Sequence, residues 1–149
     1  LATGGSIAYA NDAPYSDSYK AGGDRALIDG ICGGWTYTDK KWQGFIRNGV
    51  NVTIDLGAEK EITEVSAQFM QMCIPDVWMP AEVTIALSSD NSNFNTVAEI
   101  KHDVVRDEEL SFKNYGWKSD KAVKARYVRY TAKSGKQGGW LFTDEIEIK

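Results

Sequence analysis

The sequence predicts an all-β domain. Three observations point there. Short segments alternate apolar and polar residues with period two, clusters of Asn, Asp, Ser and Gly stand between them, and no stretch carries the apolar pattern of a long helix. One domain accounts for the whole chain. Its 149 residues suffice to bury a core without disulfide staples, and no repeat, low-complexity tract or Pro/Gly/Ser linker divides it.

The elements follow in order. Val50-Asn51-Val52-Thr53-Ile54-Asp55-Leu56 is a half-buried strand by its alternation, and Gly57 closes it at a tight reversal. Val65, Ala67 and Phe69 alternate next, then Val83, Ile85 and Leu87. Ser89-Asp90-Asn91-Ser92-Asn93 is turn chemistry, because Asn and Asp tolerate left-handed backbone and bond their own main chain. It predicts a hairpin into a strand around residues 96–100, with Phe94 returning to the core. Residues 103–110 are charged and hold a helical turn at most. Arg126-Tyr127-Val128-Arg129-Tyr130 would present Val128 to one face and Tyr127 and Arg129 to the other, and Ile146-Glu147-Ile148 closes the chain.

Composition narrows the function. Hydrophobic residues are 42% and charged residues 26%, which is globular. The net charge of -4 offers no basic excess for a phosphate backbone, so nucleic acid is not an expected partner. No apolar run approaches the roughly 20 residues a membrane-spanning helix needs. No signal peptide is visible, and the chain opens on Leu1, which reads as a fragment or a mature piece. Cys32 and Cys73 lack metal-knuckle spacing and stand as two thiols or one bridge. Catalysis is not expected. Glycoside hydrolysis needs two carboxylates flanking the bond, whereas Asp103, Asp107, Glu108 and Glu109 lie in one charged run. There is no Gly-x-Ser-x-Gly elbow or phosphate loop, and the single histidine, His102, has no nucleophile turn beside it.

The order of local motifs is more informative than any one of them. Ala26-Leu27-Ile28-Asp29-Gly30 is followed by Gly33-Gly34, Trp42-Gln43-Gly44-Phe45 and Val52-Thr53-Ile54-Asp55-Leu56-Gly57, with Ile62 and Val65 behind. Pro80 and Val83 precede Leu87-Ser88-Ser89-Asp90-Asn91 and Phe94; Ala125-Arg126-Tyr127-Val128-Arg129 leads to Trp140-Leu141-Phe142-Thr143-Asp144-Glu145-Ile146. This succession resembles the discoidin, or coagulation factor V/VIII C-type, domain, whose bacterial examples include family-32 carbohydrate-binding modules. It looks most like the version fused to the C-terminal side of chitobiase-type β-N-acetylhexosaminidases. The resemblance implies an eight-stranded jelly-roll β-sandwich of the galactose-binding-domain-like kind, spanning residues 1–149 as one module of a larger bacterial glycoside hydrolase, periplasmic, cell-surface or secreted.

The resemblance also implies a structural Ca2+. Asp29 matches the loop carboxylate and Glu145 the one before the last strand, with main-chain carbonyls of Ala26, Ile31, Gly34 and Asp144 at matching positions. The chemistry is apt, since calcium takes about 6–8 oxygen ligands and uses loop carbonyls readily. Gly34 stands where many relatives carry a threonine side chain.

For the ligand, the resemblance implies a glycan held by loops at one end of the sandwich, with an aromatic ring against the sugar and a few polar groups on its hydroxyls. The candidates are Tyr37, Asp39, Trp42, Arg47, Asn48, Trp78 and Trp140. Trp78 is expected to be the most exposed ring, because Pro75 and Asp76 argue for a loop; Trp42 reads as core or rim, and Trp140 as core or platform. The histidine that sugar-binding relatives use has no counterpart. Two functions compete. One is a carbohydrate-binding module for galactose or N-acetylhexosamine units that keeps its parent enzyme at substrate. The other is a structural module docking on the parent catalytic domain through Ile74, Val77, Trp78 and Met79. Few basic residues flank that segment, so a membrane partner ranks last.

Overall fold

The computed structural model describes residues 2–9, 15–34, 40–46, 49–71, 77–101, 111–134 and 139–149. Among these, short 3-10 turns form at Ala2–Gly4, Asp17–Tyr19 and Ala26–Ile28. The strands are β1 (Ser6–Tyr9), β2 (Gln43–Ile46), β3 (Val50–Gln71), β4 (Glu82–Ser88), β5 (Asn95–Lys101), β6 (Ser111–Lys133) and β7 (Trp140–Ile148). Their pairings are antiparallel in the order β2-β7-β3-β6-β4-β5, with β1 added to β3. No helix among the described residues is long and apolar enough to cross a membrane.

Two long strands make this a sandwich. β3 has 22 residues and β6 has 23, and they run together with register breaks between Asp55 and Lys60 and between Ile62 and Glu64. Bulges of this kind bend a ribbon and sharpen its twist. The first break falls at Gly57, whose φ of 85° suits glycine and whose N–H donates to Asp55 Oδ1 at 2.8 Å. Before it, β3 pairs with β1 and the end of β6, which continues to β4 and β5. After it, β3 pairs with the start of β6 and with β7, which carries β2. Among the described residues there are seven strands where the jelly roll implies eight, and β3 and β6 each serve both layers.

The inner faces close on one core. Val50, Val52, Ile54 and Leu56 are buried while Asn51, Thr53 and Asp55 look outward, as the alternation predicts. They meet Val65, Ala67, Phe69, Leu141 and Ile146 of the other layer. Each such side chain contributes about 1.5–3 kcal/mol on full burial. The layers are also pinned by polarity. Tyr130 of the first layer stacks on Phe69 of the second at 6.3 Å, and its hydroxyl donates to the Tyr115 carbonyl at 2.8 Å.

A smaller cluster of Trp42, Met70, Val77 and Phe142, with Tyr19 and Trp140 against it, lies on the opposite face of the second layer. Two expectations change here. Phe94 does not return to the core; it is half-buried with the Arg129 guanidinium 3.9 Å from its ring centre. The first part of β6 appears where no strand was read, because only Tyr115 and Trp117 among its alternating positions turn inward and the others are polar or small.

Candidate functional site

The strand ends define where a loop site lies. Ile46 pairs with Trp140, Val50 with Ala132, Glu82 with both Lys133 and Lys101, and Gln71 with Ser111. Strands β2, β3, β5 and β6 therefore finish at one end of the sandwich, and the segments joining them to the next strand depart from it. Tyr37, Asp39, Arg47, Asn48, Ile74 and Cys73 lie outside the described residues. Cys32 is an exposed free thiol.

The three tryptophan candidates divide. Trp42 is 1% exposed, stacked on Phe112 at 5.7 Å, with its indole N–H donating to the Gly34 carbonyl at 3.2 Å. It belongs to the small cluster and is no platform. Gly33 exists for it, since a Cβ there would sit 2.1 Å from Trp42 Nε1. Trp78, expected to be the most exposed ring, is 6% exposed. The reason is backbone pairing: Trp78 N–H donates to the Trp140 carbonyl at 2.9 Å, Val77 bridges to Trp140, and Ala81 N–H donates to the Lys133 carbonyl. Those bonds press the segment onto the sheet and bury Val77 and Met79 as well, so these three side chains of the expected docking surface are not exposed; its fourth member, Ile74, lies outside the described residues.

Trp140 remains half-exposed at this end. Tyr19 meets it edge-on at 5.1 Å, and Phe142 stacks at 5.8 Å. A ring braced on two others is held at little further entropic cost when it receives a flat apolar ligand face. Sequence reading missed the residue that ties down the neighbouring 20–23 segment. Gln43 is fully buried, accepts from Tyr9 Oη at 2.6 Å, and donates to the carbonyls of Lys20 and Gly23. An amide inside the Trp-Gln-Gly-Phe motif, flanked by buried apolar residues, was its only sequence signal.

Asp29 and Glu145 meet, although far apart in sequence. The 3-10 turn Ala26–Ile28 buries all three of its residues and delivers Asp29 at its end; Gly30 follows at φ 80°. Glu145 Oε2 accepts from Gly30 N–H at 3.1 Å, and Asp29 Oδ1 from Ile31 N–H at 2.8 Å. Burial, the Asp29 charge and a hydrogen bond shared with Asp29 push the Glu145 carboxyl up to about 8. Two carboxylates brought to one turn, Glu145 buried and Asp29 half-buried, suit a cation chemically. The Asp144 carboxylate accepts from the N–H groups of Gly33 and Glu145 at 2.8 and 2.7 Å, which fixes its position beside Glu145. Ile31 is 51% exposed, and the Gly34 carbonyl already receives the Trp42 indole. Among the described residues no group of three or more His, Cys, Asp or Glu side chains gathers to hold a metal. The donor set therefore rests on two carboxylates and main-chain oxygens.

A profile of the F5/8 type C domain family matches residues 9–146. No curated protein matches the sequence. Solved structures share the fold. CpGH89CBM32-6 produced by Clostridium perfringens has a TM-score of 0.59 at 16% identity, over 98% of this chain and 93% of that one. The family 32 module of C. perfringens NanJ, in complex with galactose, has 0.59 at 16%, over 95% and 92%. CpGH89CBM32-5 of the same organism, in complex with GalNAc-beta-1,3-galactose, has 0.57 at 18%, over 95% and 94%.

Proposed function

The chain belongs to the F5/8 type C domain family, and from that membership we propose that it is a non-catalytic carbohydrate-binding module. In this reading it recognises galactose or N-acetylhexosamine units and is carried by a bacterial β-N-acetylhexosaminidase-like glycoside hydrolase that works in the periplasm, at the cell surface or in the medium. The observation that carries the reading is Trp140, a half-exposed ring braced by Tyr19 and Phe142 at the end of the sandwich where the strands finish. Two structures of the same fold were solved with galactose or a GalNAc-galactose disaccharide, which supports this ligand class. Tyr37, Asp39, Arg47 and Asn48 are the polar and aromatic groups proposed to complete the site.

The test is titration of the isotopically labelled chain with galactose, N-acetylglucosamine and N-acetylgalactosamine. Shifts at Trp140 and its neighbours are expected with at least one of them, and Trp140→Ala is expected to weaken binding by roughly two- to tenfold, since a stacked ring is worth about 0.5–1.5 kcal/mol. No shift with any of the sugars, together with stabilisation by the parent catalytic domain, would select the structural-module reading instead.

We further propose a structural calcium held by the carboxylates of Asp29 and Glu145, with the carbonyls of Ala26, Ile31, Gly34 and Asp144 as candidate main-chain ligands. The turn that Glu145 joins through Gly30 N–H, and Asp29 through Ile31 N–H, supports the site, and the indole bond at Gly34 makes that carbonyl the weakest member of the set. A bound cation supplies the positive charge that lets both carboxylates stay ionised. The chain's own part is to fix the two oxygen sources, one at the end of a buried 3-10 turn and one on β7.

A further inference from the structure

The outer face of the first layer carries a groove of about 740 Å³, whose lining shares no residue with either site above. Its floor is the outward row of β3 (Asn51, Thr53 and Asp55) beside Tyr127 and Arg129 of β6; β1 forms one wall and Asn91 reaches over from the β4–β5 turn. That volume falls within the roughly 300–1,000 Å³ typical of small-ligand sites.

The charges in the groove are unequal. Asp55 is taken: Arg126 holds it with two bonds, Nε to Oδ1 at 2.7 Å and a second nitrogen to Oδ2 at 2.9 Å. Arg129 is not. Among the described residues no carboxylate pairs with it. Its guanidinium is nonetheless fixed, stacked 3.9 Å from the Phe94 ring centre with Nε 3.4 Å from Thr53 Oγ1. Phe94 is held in turn by a rigid turn, in which the Asp90 carboxylate accepts from the backbone of Ser92 and Asn93, from Asn93 Nδ2 and from Ser88 Oγ. A stacked, pre-oriented guanidinium with no carboxylate partner among the described residues is the usual donor for a planar carboxylate.

We propose that this groove is a second ligand site that takes a carboxylate-bearing sugar, with Arg129 donating to the uronate carboxylate and Asn51, Thr53 and Asn91 bonding ring hydroxyls. A single unpaired cation beside an acidic residue matches one negative charge better than a phosphate dianion. Tyr127, with the Arg126 guanidinium 5.1 Å from its ring centre, gives the sugar an apolar side to lie against.

Calorimetric titration with galacturonate and glucuronate, and with galactose and glucose as neutral counterparts, tests it. Uronate binding is expected, weaker at about 0.5 M salt because the groove is open to solvent. It should fall roughly tenfold or more in Arg129→Gln and in Arg129→Lys, since a charge-assisted pair and its fork geometry are lost. Arg129 is half-exposed, so the fold should persist; Asn51→Asp, which adds a like charge to the ligand's without changing size, is an independent check and should also weaken binding. Trp140→Ala should leave uronate binding intact. No uronate binding, or uronate binding lost in Trp140→Ala but kept in Arg129→Gln, would overturn the proposal. Uronate binding that falls in Arg129→Gln and persists in Trp140→Ala upholds it, whatever galactose and glucose do.

Discussion

At the scale of single residues, two positions carry consequences out of proportion to their size. Gly33 lies against the Trp42 indole so closely that any Cβ overlaps the ring. Gly33→Ala should therefore cost about 1–3 kcal/mol through overpacking, read by chemical denaturation, with a change in tryptophan emission as Trp42 shifts. Gly30→Ala is the contrast, because its neighbourhood is open and only its φ of 80° opposes a side chain. Asp55 gives a pH dependence. The Arg126 guanidinium, then the Gly57 amide, hold its carboxyl below the ordinary 3.8. A depressed native value means that the stabilisation is fully present above the unfolded value and is lost as pH falls on through the lower, folded value. The pair is partly exposed, so solvent and salt screen it. Asp55→Asn should lower the melting temperature by a few degrees at neutral pH, and the difference from wild type should shrink as pH falls below the ordinary carboxylate value and vanish once Asp55 is protonated in the folded chain.

At the scale of elements, the β4–β5 connection is organised by one carboxylate. Asp90 is held well below the usual carboxylate range by the amides of Asn93 and Ser92 and by the Asn93 and Ser88 side chains. Asn91 sits at φ 60°, where Asn is tolerated. Asp90→Ala should loosen the turn, giving faster amide exchange at Ser92 and Asn93 while β3 and β6 stay protected. Unchanged exchange at both amides would mean the turn is held by its backbone alone. The turn was legible in the sequence because Ser-Asp-Asn-Ser-Asn states its chemistry locally. The position of Phe94 was not, because its partner Arg129 lies on another strand, beside Thr53 of β3 and Ala86 of β4.

At the scale of the whole molecule, the bonds of Gly30 and Gly33 N–H to Glu145 and Asp144 tie the loop before β2 to the last strand, with Asp29 beside them. A ion that binds only the folded chain stabilises by mass action, about 2.7 kcal/mol at a hundred times its dissociation constant. Calorimetric melting is expected to show a higher midpoint in calcium than in EGTA, and Asp29→Asn with Glu145→Gln should abolish the difference. A midpoint indifferent to the chelator in the wild-type chain would remove calcium from the account. The β3–β6 crossing is the other global feature. Its two bulges send one ribbon through both layers, so the core seals only when strands far apart in sequence have paired.

The sequence by itself determined the faces of the strands. Period-two alternation decides which side chains turn inward, and that rule needs nothing beyond neighbours along the chain; Val50 to Leu56 and Ile146 to Ile148 obey it. Ordered motifs determined the family and brought Asp29 and Glu145 into one hypothesis. Exposure was decided only by the tertiary structure. Trp78 looked like a loop ring and is buried because its backbone bonds to β7, while Arg129 looked like an ordinary outward charge and is fixed on Phe94 across the groove. Burial and pairing depend on partners that the fold supplies from distant segments, and local pattern carries no record of them.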